Sequence, residues 1–322
     1  MIHVSALTIA AGREAHLRNV VAGFQAQQHK PSELIIGVMQ DADYTDLPRT
    51  DFPIRQIRVT ASELPLSAAR NAVADAATGD LLVFVDVDCI PAPDFISGYL
   101  DRMADRRGLF MGEVMYLPLG GTDGGLDFDR FADIAVKHSD RQGPPASGVA
   151  ACADYRCFWS LNFAMWRQDW LDGPRFDESF SGYGGEDTDF GRAWSDGGGP
   201  IWWIAGGRVY HQYHPHCMPP VHHLHSVMRN AEVFARKWGH RTMEHWLYAF
   251  QLMGLIRNAP EGLQLLREPG PTEFALCEQQ GHMPYANSRR VIDHLHRLAE
   301  DDRMTTERVA REQSALLMPA AE

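Results

Sequence analysis

In Leu81-Leu82-Val83-Phe84-Val85-Asp86-Val87-Asp88-Cys89 an unbroken apolar run gives way to two carboxylates one residue apart. Such a run is the pattern of a strand buried on both faces of a parallel sheet. Side chains in a strand repeat every two residues, so Asp86 and Asp88 are expected on one side. They stand where the strand ends, and open α/β sheets bind ligands outside the carboxyl ends of their strands. Two hard oxygen ligands there suit Mg²⁺ or Mn²⁺, arriving with a phosphate-bearing substrate. Taken alone, the Asp-x-Asp pair has a commoner explanation, a strand running into a polar loop. The surrounding chain has to decide.

Upstream, strands are expected at 4–10, 33–39 and 54–59, with a helix between the first two in which Leu17, Val20, Val21 and Phe24 recur at helical spacing. An Ala-rich helix at 67–77 and the Thr78-Gly79-Asp80 turn lead into the opening strand. Strands alternating with helices give a mostly parallel sheet with right-handed crossovers. Downstream, Pro91-Ala92-Pro93 stops the strand, a helix begins near Asp94, and 109–117 reads as another strand. From Gly120 to Gly148 the chain is rich in Gly, Asp and Pro, a surface loop with a short helix near 131–138. Further strands are expected at 158–166, 201–204 and 207–211, with a helix starting at Glu186. After Pro215 the alternation stops, and helices are expected at 222–238, 243–256, 289–300 and 305–317. The expected architecture is therefore α/β: a mixed, mostly parallel sheet flanked by helices over 1–215, then a helical extension over 216–322.

The bulk properties narrow the function. With 322 residues, 45% hydrophobic and 22% charged, the chain can bury a large core. A net charge of −12 disfavours nucleic acid as the main partner, which would need a basic face. No stretch reaches the roughly 18 apolar residues of a membrane span, and the N-terminus reads as a strand rather than a signal peptide. Five irregularly spaced cysteines (89, 152, 157, 217 and 277) suit reduced thiols and a cytoplasmic location. No strand is followed by G-x-G-x-x-G or G-x-x-x-x-G-K-[ST], which disfavours a dinucleotide-dependent dehydrogenase and a P-loop NTPase. A phosphate would have to be held by a metal and side chains.

Gly184-Gly185-Glu186-Asp187 is the second constellation. Acids at a helix N-terminus favour the dipole whatever the function. Two glycines before them also let backbone approach a bound group, and a second carboxylate pair could supply a general base beside a metal. Tyr210-His211-Gln212-Tyr213-His214 is the third, because a strand-end histidine can add an imidazole to a carboxylate-held cation. Cys217 with His222, His223 and His225 matches no closed zinc site. Arg13, Arg70 and Asn71 are diphosphate candidates, though Arg on a helix is ordinarily solvated. Trp159 and Trp166 could carry a sugar ring, though such an apolar stretch ordinarily packs in a core.

In combination and in this order, these residues resemble the family 2 glycosyltransferases of the GT-A fold over about 1–215. The matching pieces are Thr8-Ile9-Ala10 with Arg13, Asp41, the 67–71 segment Ser-Ala-Ala-Arg-Asn, Gly79-Asp80 and Asp86-Val87-Asp88. The stretch from Leu161-Asn162-Phe163-Ala164 through Phe176-Asp177-Glu178 to Gly184-Gly185-Glu186-Asp187 is similar to the acceptor half of galactosyltransferase-type and chondroitin-polymerase-type enzymes. The resemblance implies a nucleotide-sugar half over 1–117 and an acceptor half over 151–215. It places Thr8, Ala10, Arg13, Asp41, Arg70, Asn71 and Asp86 on the donor. It places Asp88, with Asp86, His211 and His214, on Mn²⁺ or Mg²⁺. Asp187 becomes the base and Glu186 an orienting group, with Trp159, Asn162, Tyr183 and Gly185 toward the acceptor. Tyr183 stands where the family often has Trp. The implied reaction is inverting, metal-dependent transfer from a nucleotide sugar, a UDP-sugar first among them, to a saccharide or other hydroxyl acceptor. A retaining transferase, a nucleotidyltransferase and a non-catalytic nucleotide-sugar binder are the rivals. The tail would cover the acceptor, pair copies of the chain or dock a partner, and the protein could sit peripherally on a membrane.

Overall fold

The structure, a computed structural model, describes residues 2–301. Contacts divide the chain into two units: Met1–Pro215 with His225–Met243 and Gln280–Tyr285, and His216–Leu224 with Glu244–Gln279 and Ala286–Glu322.

The first unit begins β1 (Val4–Ala10), α1 (Glu14–Gln25), β2 (Glu33–Val38), β3 (Ile54–Arg58), α2 (Leu66–Ala76) and β4 (Leu81–Val85). It continues through β5 (Cys89–Pro91), α3 (Phe95–Met103), β6 (Leu109–Met111), β7 (Val114–Tyr116), α4 (Phe128–Ile134), β8 (Val136–Lys137) and β9 (Val149–Ala151). Then come β10 (Asn162–Trp166), α5 (Arg167–Asp172), α6 (Glu186–Asp196), β11 (Ile201–Ile204), β12 (Val209–His211) and α7 (Leu224–Trp238), the last from His225 onward. An eight-stranded sheet runs β3-β2-β1-β4-β10-β6-β11-β9, and a smaller one runs β5-β12-β7-β8. The first four strands are mutually parallel, whereas β10 is antiparallel to both β4 and β6.

Every residue of β1, β2 and β4 is buried, which explains why their sequences are continuous apolar runs rather than alternating ones. The alternation is there in three dimensions. Val4, Ala6, Leu34, Ile36, Leu81 and Val83 pack with Leu17, Val21 and Phe24 of α1 and Phe95 and Tyr99 of α3. Leu7, Ile35, Leu82 and Phe84 pack with Val73 of α2, Trp170 of α5 and Phe190 and Trp194 of α6. Each face of the sheet thus has its own helix layer, and the strand ends between the layers carry the polar residues.

Several boundaries differ from the sequence expectation. The Asp86 stretch leaves the strand after Val85, and the Cys89 N–H donates to the Asp86 carbonyl at 2.9 Å, closing a turn. The two-residue strand repeat therefore does not orient Asp86 and Asp88. The expected strand at 109–117 splits into β6 and β7, in different sheets, at Gly112. A Cβ on Gly112 would lie 2.2 Å from the Gly207 carbonyl oxygen, so only glycine lets these segments cross. The 158–166 strand starts only at Asn162, and the short helix of the 120–148 loop lies at Phe128–Ile134, where the Asp127 side chain accepts from the Arg130 N–H.

The second unit holds α8 (Glu244–Leu252), the hairpin β13 (Ile256–Ala259) with β14 (Gly262–Leu265), α9 (Pro271–Cys277) and a helix over 288–301. The hairpin replaces the end of the helix expected at 243–256. The helix expected at 305–317 lies outside the described residues. Among the described residues no helix is long and apolar enough to cross a membrane.

Candidate active site

The pairing of β5 with β12 builds the first cluster. Its register sets His211 opposite Cys89, and the Gln212 N–H donates to the Asp88 carbonyl at 2.7 Å, so Asp88 and His211 become neighbours across two short strands. His211 Nε2 lies 3.6 Å from Asp88 Oδ1 and His214 Nε2 lies 3.2 Å from Oδ2. Arg13 joins the same Oδ2 from the start of α1, where it holds a left-handed backbone (φ 50°). Burial alone would raise the Asp88 pKa, but His211, His214 and Arg13 outweigh it and hold the carboxyl well below its usual range. Ligand atoms of Asp88, His211 and His214 all lie within 4.8 Å of one another. One carboxylate and two imidazoles form an oxygen–nitrogen donor set that fits a divalent cation.

Asp86 turns elsewhere. Its Oδ1 accepts from Arg70 Nη2 at 3.2 Å, while Arg70 Nη1 reaches Glu186 Oε1 at 3.1 Å. Arg70 is buried on α2, and its guanidinium lies over the Phe176 ring at 5.4 Å. Burial raises the Asp86 pKa to about 6 against the pull of Arg70, and the Asp88 charge adds to the rise.

Gly184 and Gly185 hold φ of 95° and 91° before α6, a conformation that costs other residues strain and leaves the helix to open on Glu186 and Asp187. Burial first, then the Glu186 charge, lifts Asp187 to about 7, with Arg70 and the Thr188 N–H pulling the other way. Tyr183 immediately precedes the glycine pair. Burial and then the charges of Glu186, Asp187, Asp88 and Asp86 all push its phenol upward. The two acidic constellations of the sequence therefore converge on one place.

The other expected residues separate. Thr8, on β1, lines a small cavity with Arg70, Asp86 and Ser160, and its buried Oγ1 has no hydrogen-bond partner among the described residues. Ala10 ends β1, its carbonyl accepting from the Met39 N–H. Asp41 is exposed beside Gln40, which accepts from the Gly12 N–H at 2.8 Å. Trp159 is partly buried against His138, with ring centroids 5.4 Å apart. Two amides expected at the site instead pin backbone. Asn71 exchanges hydrogen bonds with Phe176 and donates to Glu178. Asn162, fully buried, accepts from the Tyr99 hydroxyl and donates to the Glu113 and Gly207 carbonyls. An amide so engaged is not placed to meet an acceptor.

The site also has residues that the sequence did not single out. Tyr116 lies next to His211 in the β7–β12 register and stacks on its ring at 4.7 Å. His16, one turn into α1, meets the His214 ring edge-on at 6.1 Å. Tyr44 donates its hydroxyl to the Gly12 carbonyl at 2.7 Å, tying its loop to the segment after β1. From α7, Asn230 donates to the carbonyls of Ser181, Tyr183 and Gly184 and fixes the glycine loop. Only His16 had a local signal, its place three residues after Arg13.

Residues 5–141, somewhat under half of the chain, match the family model described as Glycosyl transferase family 2. That segment is similar to family 2 glycosyltransferases. It includes Asp86 and Asp88 and ends before Glu186, Asp187 and His211. No curated protein sequence matches the chain significantly. Among solved structures it is similar to GalNAc-T7, crystallised with UDP, GalNAc and Mn²⁺, at 14% identity and a TM-score of 0.47, covering 66% of this chain and 43% of that one. It is also similar to residues 1–349 of TarS from S. aureus, at 12% identity and a TM-score of 0.44, covering 73% of this chain and 66% of that one. The chain thus spans less than half of the first and about two thirds of the second. Likenesses this weak carry no inference about substrate.

Proposed function

We propose that the protein transfers a glycosyl group from a nucleotide-activated sugar, a UDP-sugar, to an acceptor hydroxyl with inversion at the anomeric carbon. The observation that carries this reading is that Arg70 ties Asp86, two residues before the Asp88 of the Asp88–His211–His214 group, to Glu186 beside Asp187. One group suits a cation and a diphosphate, and the other contains a carboxyl poised to take a proton near neutrality.

In this reading Ala10, Gly12, Asp41 and Tyr44 bound the nucleoside at the ends of β1 and β2. Arg13, at the carboxylate edge of Asp88, binds the diphosphate. Asp88, His211 and His214 would hold a divalent cation, Mn²⁺ before Mg²⁺ given the two imidazoles, which would supply positive charge to offset that of the departing nucleoside diphosphate. Asp187 accepts the proton of the acceptor hydroxyl as that oxygen forms its bond to the anomeric carbon and the bond to the diphosphate breaks. Direct displacement inverts the centre. Arg70 orients Glu186 beside Asp187 and ties it to the Asp86 turn. Trp159 and Tyr183 offer aromatic faces to the saccharide.

A thermal-shift panel of nucleotides and nucleotide sugars with and without Mn²⁺ tests the binding half, since specific binding raises apparent stability. A shift by UDP and UDP-sugars that EDTA removes is the expected result. No shift by any nucleotide would overturn the reading, and release of pyrophosphate in place of a nucleoside diphosphate would redirect it to nucleotidyl transfer.

A further inference from the structure

Arg141 stands on the loop between β8 and β9 and takes no part in the interactions described so far. Its Nε, Nη1 and Nη2 are all sealed from solvent, and none has a hydrogen-bond partner among the described residues. The guanidinium lies 5.2 Å from the centroid of the Trp203 ring and 5.7 Å from that of Trp159. Trp203 brings a second unsatisfied donor, because its indole Nε1 is also buried without a partner. The two side chains thus offer several N–H donors and no acceptor. Contacts with aromatic faces return part of what it costs to desolvate a guanidinium, but less than burial of the charge takes. Loss of the proton is no escape for Arg. A permanent positive charge with unsatisfied donors is complementary to an anion, and the flat fork of a guanidinium is complementary to a carboxylate in particular.

The surroundings say which molecule would bring that anion. Trp159, under the Arg141 guanidinium, meets the His138 ring edge-on at 5.4 Å, and His138 lies 5.5 Å from the Tyr116 ring. The Cys89 thiol faces Asp88 Oδ1 at 3.7 Å, and the Tyr116 ring stacks on His211. Arg141 is therefore linked to His211 through the Trp159, His138 and Tyr116 rings. The carboxylates of that group and of its neighbour already have Arg13 and Arg70 as their cations. Arg141 is instead set against Trp159, a face for a sugar ring.

We infer that Arg141, with the Trp203 indole N–H, recognises a carboxylate carried by a sugar unit, so that the donor or the acceptor saccharide is acidic. This deepens the glycosyl-transfer reading and rests on it. Arg141 acts here as a specificity determinant and makes no contact with the reacting atoms.

Calorimetric titration of the full chain in Mn²⁺ separates the sources. Wild type and Arg141→Met are titrated with UDP, UDP-glucose and UDP-glucuronate. Their UDP complexes are then titrated with a neutral oligosaccharide and with its uronate-containing counterpart. Wild type should bind the acidic member of one pair about tenfold tighter or more, and the pair that shows it identifies donor or acceptor as the carrier. Arg141→Met should lose that preference while its UDP affinity is unchanged. Ligand-free Arg141→Met should melt at or above the wild-type temperature, because it removes an uncompensated buried charge. Equal binding of both pairs by wild type, a preference that survives in Arg141→Met, or a variant that melts well below wild type would each overturn the inference. Failure of wild type to bind UDP at all would instead overturn the glycosyl-transfer reading, and this one with it.

Discussion

Arg70 and Glu186 are 116 residues apart in the chain and 3.1 Å apart in space, and the same guanidinium reaches Asp86 at 3.2 Å. One buried side chain on α2 therefore joins the turn after β4 to the first residue of α6. Removing it leaves Glu186 buried without its cation. Arg70→Met should lose about 3–5 kcal/mol of unfolding free energy, read from urea midpoints. Arg70→Lys should recover only part, because one ammonium does not reproduce a fork spanning two carboxylates. Wild-type stability in Arg70→Met would show the bridge to be dispensable.

Asp88, His211 and His214 should bind Mn²⁺ in the absence of any substrate. Wild type should gain melting temperature with rising Mn²⁺, by the equivalent of about 2.7 kcal/mol at a hundredfold excess over Kd. Asp88→Asn should lose the gain entirely, and His214→Ala should need more metal to reach it. An unchanged response in Asp88→Asn would remove Asp88 from the metal group.

The raised pKa of Asp187 has consequences of opposite sign for activity and stability. As a base it must be ionised, so kcat/KM should rise with pH through about 7. The folded state holds that proton more tightly than the unfolded chain, so this group's contribution to stability is full below about pH 4, the unfolded pKa, and is lost as pH climbs to about 7. Asp187→Asn, which imitates the protonated form, should match wild type near pH 4 and melt higher at pH 8. A variant that melts lower at pH 8 would contradict the shift.

Asn230 lies outside the matched segment, yet it holds three carbonyls of the 181–184 loop. Asn230→Ala should cost about 1–3 kcal/mol, since it strands buried carbonyls. It should raise the acceptor KM more than the donor KM, because the loop it frees leads into Glu186 and Asp187. Equal effects on both would assign Asn230 to general stability alone.

How much of this was legible in the sequence depends on whether the signal was local. The apolar runs of β1, β2 and β4 announced a doubly covered sheet because each is buried throughout. Asp86, Asp88, Glu186 and Asp187 stood out as charges where an apolar run or a glycine pair ended. The antiparallel insertion of β10 between β4 and β6 had no such mark, since a short buried strand reads alike in either direction. Tyr116 and Tyr44 owe their places to strand register and loop closure across many residues. The amides of Asn71 and Asn162 misled because an amide that binds a ligand and one that pins backbone are the same residue in a string. Arg141 drew no notice within a polar loop, because only the fold shows its guanidinium sealed against two indoles.

The most direct test of the central claim is nucleoside diphosphate release from a panel of nucleotide sugars with Mn²⁺ and mixed saccharide acceptors, run with wild type and Asp187→Asn side by side. Wild type should show acceptor-dependent release that falls by about 10²–10⁴-fold in Asp187→Asn, while UDP binding by the variant persists. Release that proceeds at the wild-type rate without the Asp187 carboxylate would contradict the claim.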